Sequence, residues 1–213
     1  DITDRVRQYS KLIVTDLETK TPVSEIDIPP ELKLIDVNPS GTLALLARNG
    51  KSEAVLHVWS LDENKHVASW NYLNGDDKQQ SVPDLRFLND TEILTRSERQ
   101  TVIKGQTQNS ISKWNATDGR LIFQAIAAVG GPGSGRNLLI AVSPNGRYVA
   151  LDSTKSIVIF DTSNATVVQD LPLPSDAGAF HSPLTGVFHG QGSRLTAIYA
   201  GSTGPTLLSW NLG

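Results

Sequence analysis

The chain has 213 residues, of which 38% are hydrophobic and 19% charged, a balance that suits a folded globular protein and is too apolar for disorder. Its net charge of −3 argues against a nucleic-acid partner, because phosphate binding is driven by clustered Lys and Arg. The lack of cysteine excludes disulfides and thiolate metal sites, and no apolar run approaches the roughly 18 residues that a bilayer crossing needs.

The sequence Asp1-Ile2-Thr3-Asp4-Arg5 is neither a signal peptide nor a lipidation motif, so the compartment stays open. Methionine is missing even at position 1, which predicts a processed or excised piece of a longer chain.

Two strands are predicted first, over residues 11–16 and 23–28. The first contains Leu12-Ile13-Val14-Thr15-Asp16, an apolar run closed by a small polar residue. Next comes Pro39-Ser40-Gly41 inside the apolar stretch 35–45. Proline presets φ and glycine accepts the positive φ of a hairpin turn, so two strands are predicted around it. The run Leu56-His57-Val58-Trp59-Ser60 follows, then a polar turn at 62–65 and a strand over 66–70. A Gly/Pro-containing connector over 74–83 ends this unit.

The same order repeats. A looser turn at Asn89-Asp90 leads through the polar stretch 96–109 to Ile111-Ser112-Lys113-Trp114-Asn115, then a turn at 117–119 and a strand over 120–125. After the connector 130–136 the turn is Pro144-Asn145-Gly146, the aromatic run is Ile157-Val158-Ile159-Phe160-Asp161, and a strand covers 165–171. The connector 172–183 precedes a loose turn at Gly190-Gln191-Gly192 and the last run, Leu207-Leu208-Ser209-Trp210-Asn211. The anchors Val14, Trp59, Trp114, Phe160 and Trp210 lie about 45 to 55 residues apart, the spacing of propeller blades. The fold class is therefore all-β: a β-propeller of four-stranded antiparallel blades, about four in this chain, filling residues 1–213 as one domain.

These units resemble the WD40 repeat family over nearly the whole chain. The aromatic-plus-polar pair stands where that family has Trp-Asp, and Pro-Asn-Gly-Arg-Tyr-Val-Ala followed by Ser-Ile-Val-Ile-Phe-Asp is similar to the core of such a repeat. The copies depart from the pattern: Ser60, Asn115 and Asn211 replace Asp, and no Gly-His pair opens a unit. The family's internal His–Asp–Ser–Trp network is thus expected to be incomplete, with apolar packing carrying the stability. The resemblance implies a non-catalytic protein–protein interaction scaffold or regulatory module whose partners dock on the loop faces. Alternatives are a hydrolase or lyase with a pocket in the channel, and a sensor domain of a larger multidomain protein.

Counting strands poses a closure question. The ring is expected to be completed either by further chain or a second copy, or by the N-terminal outer strand pairing with the last blade.

No cofactor or metal is expected. Gly130 and Gly135 have the spacing of a phosphate loop, but Arg136-Asn137 follow where Lys and Ser or Thr are needed. His57, His66, His181 and His189 form no ligand pair by spacing, and no Gly-x-Ser-x-Gly elbow exists. Asp76, Asp77 and Asp84 read as solvated loop charge. The sequons at Asn89, Asn115 and Asn164 fall at turns, where Asn is expected anyway. Arg96, Arg99, Lys104 and Arg136 are the candidate interaction surface, a modest basic rim at one end of the ring. Trp70 and Phe123, on outer strands, are expected to stack on neighbouring strands.

Overall fold

The structure is a computed structural model and describes residues 10–48, 54–73, 85–100, 107–127, 139–153, 156–173, 183–201 and 204–212. β1 (Ser10–Thr15) and β2 (Pro22–Ile28) form an antiparallel pair. Three four-stranded antiparallel meanders follow. The first holds β3 (Leu32–Val37), β4 (Leu43–Arg48), β5 (Val55–Ser60) and β6 (Lys65–Asn71). The second holds β7 (Leu85–Phe87), β8 (Glu92–Gln100), β9 (Thr107–Asn115) and β10 (Leu121–Ala127). The third holds β11 (Leu139–Val142), β12 (Tyr148–Asp152), β13 (Ser156–Asp161) and β14 (Thr166–Pro172). A three-stranded sheet of β15 (Pro183–His189), β16 (Arg194–Gly201) and β17 (Gly204–Asn211) comes last. The fold is an all-β propeller arc, as the repeat spacing implies.

The core lies between sheets rather than within any one of them. Side chains alternate across a strand, so each central strand feeds two interfaces. On β4, Ala44 and Leu46 pack with Leu12, Val14, Ile26 and Ile28 of the first pair, while Leu45 and Ala47 pack with Phe87, Ile93 and Trp114 of the next sheet. On β8, Ile93 faces backward and Leu94 forward, against Val149, Val158 and Phe160. On β12, Val149 faces backward and Ala150 forward, against Phe188, Leu195 and Tyr199. Each fully buried Leu or Ile in these layers contributes about 1.5–3 kcal/mol of transfer free energy.

The polar residue of the repeated motif closes the turn after its strand. Asp16 Oδ1 accepts the N–H groups of Glu18 and Thr19 at 2.8 and 2.7 Å, and Ser60 Oγ accepts that of Glu63 at 3.1 Å. Asn115 Oδ1 accepts the N–H of Thr117 at 2.8 Å, and Asp161 Oδ1 that of Ser163 at 2.8 Å. Any short side-chain oxygen performs this task, which explains why the motif drifts among Asp, Ser and Asn. Four residues later each turn has positive φ: Lys20 (57°), Asn64 (47°), Gly119 (68°) and Ala165 (59°).

Four features bear on these expectations. The stretch 96–109 is not simply a polar loop, because β8 and β9 stay paired out to Gln100 and Thr107. One indole bond is made, which agrees with an incomplete network: Trp114 Nε1 donates to Thr95 Oγ1 at 2.9 Å inside the second meander. Among the described residues no overlap closes the ring: β2 pairs with β1, and β17 pairs with β16 alone. Finally, the last sheet keeps an open face. Leu207 is 66% exposed, whereas its equivalents Leu56, Ile111 and Ile157 are fully buried.

Candidate functional site

The first strands of the three meanders and of the last sheet converge on a cavity of about 330 Å³. Asp36 and Val37 reach it from β3, Arg86 and Phe87 from β7, all of β11, and Thr185 and Gly186 from β15, with Pro39 at one edge. Gly186 has a clear reason to be glycine here: a Cβ would lie 2.6 Å from Ile140 Cγ2 of the neighbouring sheet.

Two charged residues stitch the first two innermost strands together. Asp36 Oδ2 accepts the Phe87 N–H at 2.9 Å, and Arg86 Nη1 donates to the Ile35 carbonyl at 3.4 Å. Arg86 is exposed, and a guanidinium has five N–H donors, so most of its capacity remains for a ligand. Val37, Phe87 and the β11 side chains add apolar groups to a lining that otherwise presents polar atoms. Such a groove can hold an apolar side chain while Arg86 binds a carboxylate in two-pronged fashion.

Of the sequence-based basic rim, Arg96 alone has a described side chain. Arg96 is only 4% exposed, on the β8 face shared with Leu94 and Ile111, so its guanidinium lies inside the protein instead of on a solvated rim. Arg99 lies near the end of β8. Lys104 and Arg136 lie outside the described residues, as do Asp76, Asp77, Asp84, His181 and the glycine-rich stretch 130–136. Trp70 packs on Trp114 (6.1 Å between centroids) and Phe123 on Phe160 (6.3 Å), so both outer-strand aromatics stack on the next sheet.

Elsewhere the electrostatics are structural. Burial pushes the Asp161 carboxyl upward, but hydrogen bonds from Ser163 and Arg147 outweigh it and leave the group below the usual carboxylate range. Arg147 reaches Asp161 Oδ2 through Nε at 3.0 Å and Nη2 at 2.9 Å. Burial raises the Tyr199 phenol, and the nearby Asp152 adds to the effect. Among the described residues no group of three His, Cys, Asp or Glu side chains is placed to hold a metal.

Sequence reasoning missed Asp36 and Arg86. Both sit in short innermost strands with no motif of their own, and only the ring geometry brings β3 and β7 together. It also missed a contact between His57 and His66, whose rings lie 5.8 Å apart across β5 and β6.

No family model matches the chain, and no curated protein matches it in sequence. Solved structures do resemble it. KlAtg21 in complex with the coiled-coil of AgAtg16 superposes with TM-score 0.65 at 16% identity, over 100% of this chain and 62% of that one. The β-propeller domain of the Trilobed protease from Pyrococcus furiosus, described as having an open velcro topology, gives 0.60 at 10% identity, over 99% and 62%. The Cps50 (Swd1) β-propeller domain of Myceliophteria thermophila gives 0.56 at 13% identity, over 89% and 57%. At such identities the likeness defines the fold class alone: the protein is a β-propeller. The chain spans about three-fifths of the length of these three structures.

Proposed function

We propose that this chain is a WD40-like propeller module that binds other proteins without catalysing a reaction. The observation that carries the reading is the groove among β3, β7, β11 and β15, whose mixed lining combines apolar side chains with the exposed Arg86 guanidinium. A partner segment presenting a carboxylate next to an apolar side chain suits that chemistry. Arg99, Lys104 and Arg136 are proposed as further cationic contacts for the partner. KlAtg21, one of the similar structures, is seen in complex with a protein coiled-coil, which supports a protein partner.

The test is a library of acidic and apolar-acidic peptides screened by fluorescence polarisation. Peptides that bind should lose at least about tenfold in affinity with Arg86→Ala. If the peptides bind Arg86→Ala and an Arg99→Ala/Lys104→Ala/Arg136→Ala variant as well as wild type, the docking reading fails. The open face around Val187 and Leu207 supports a second proposal, that another copy covers it. Sedimentation showing only monomer across the accessible concentration range would exclude that arrangement.

A further inference from the structure

We propose that His57 and His66 form a capture site for one divalent transition-metal ion of the kind that prefers imidazole ligands. The pair is built by the sheet. A register shift between Val58 and Trp59 sets His66 opposite Trp59 and brings it diagonally onto His57, on the same face of β5 and β6. The ring centroids are 5.8 Å apart at 62°, and the Trp59 ring lies 5.5 Å from His66. An imidazole nitrogen binds such an ion at about 2.0–2.1 Å, so two rings sharing one ion have centroids on the order of 5–6 Å apart. The observed separation falls in that range without rebuilding the backbone.

His57 is half-buried at the edge of the pair. Nearby, the Arg48 guanidinium and the Glu31 carboxylate face each other at 3.8 Å, so their charges offset one another. His66 is exposed and gives the ion a route in. With two protein ligands in place, water completes the coordination shell. A bound ion would tie the third strand of the first meander to its fourth, and by mass action it would stabilise the folded chain.

Cu²⁺ is the probe of choice, because it binds nitrogen ligands most tightly among the first-row divalent ions. Titration calorimetry on the 213-residue chain near pH ~7.5, above the histidine range, should show one Cu²⁺ per chain. Indole fluorescence should fall as the ion binds, and Trp59→Phe should remove part of that quenching. His66→Asn and His57→Asn should each weaken binding at least about tenfold, with His189→Asn leaving it unchanged. Because His66 is exposed, His66→Asn keeps the fold and decides the matter if His57→Asn does not fold. No saturable binding up to about 1 mM Cu²⁺, or binding of undiminished affinity in His66→Asn, would overturn the proposal.

Discussion

Trp114 donates its indole N–H to the Thr95 hydroxyl at 2.9 Å, and this bond distinguishes the second meander from its neighbours. In the first meander Leu46 takes the place of Thr95 relative to the anchor, and the Trp59 indole nitrogen is buried without a hydrogen-bond partner. Removing the hydroxyl from Thr95 should therefore add the Trp114 indole to the buried donors without a partner, beside those of Trp59 and Trp70. Thr95→Val is expected to lower stability by about 1–3 kcal/mol, read from the urea midpoint, while Thr95→Ser should recover most of the loss. Equal midpoints for wild type and Thr95→Val would show the bond to be of no consequence.

Gly146 carries the turn of the third meander against the second. Its φ is +67°, and a Cβ would fall 2.3 Å from the Leu88 carbonyl oxygen. Neither the backbone conformation nor the contact can accept a methyl group without movement of main chain. Gly146→Ala is expected to cost at least about 2 kcal/mol, whereas Gly41→Ala, which meets nothing within 4 Å, should cost only the left-handed strain of about 1 kcal/mol. Thermal melts of the two variants side by side provide the comparison.

Ala165 occupies the left-handed region at φ 59°. Its counterpart in the second meander is Gly119, for which that conformation carries no penalty. Ala165→Gly should raise stability by a few tenths to about 1 kcal/mol, since relief of strain outweighs the added freedom of the unfolded chain. A fall in the denaturation midpoint would show that packing of the Ala165 methyl matters more.

Asp161 links stability to pH. Its folded pKa is depressed below the ordinary 3.8, so its contribution is fully present above that value. It is then lost as pH falls through the lower folded value, because the unfolded chain takes up the proton first. Urea midpoints measured at descending pH should drop more steeply below about pH 4 for wild type than for Asp161→Asn. Parallel curves for the two proteins would rule out this linkage.

The strand order was readable from the sequence because each apolar run carried its own turn. The proline–glycine turns at Gly41 and Gly146 and the polar residue after each anchor are local signals. They act within a few residues, and the structure uses them where they stand. The groove was not readable, because Asp36 and Arg86 are 50 residues apart and meet only when two sheets pack. Arg96 misled for a related reason: a charged residue in a polar stretch reads as exposed, yet strand alternation turns it inward with Leu94 and Ile111. The histidine pair depended on a one-residue register shift beside Val58, which no spacing rule anticipates.

Every apolar layer here is shared by two sheets, and none belongs to a single sheet. Loss of one sheet therefore strips a face from each of its neighbours. The molecule should behave as a row of coupled units, with amide exchange fastest in the two terminal sheets and slowest in β8 and β12. A ligand that grips β3 and β7 together would then protect strands it never touches.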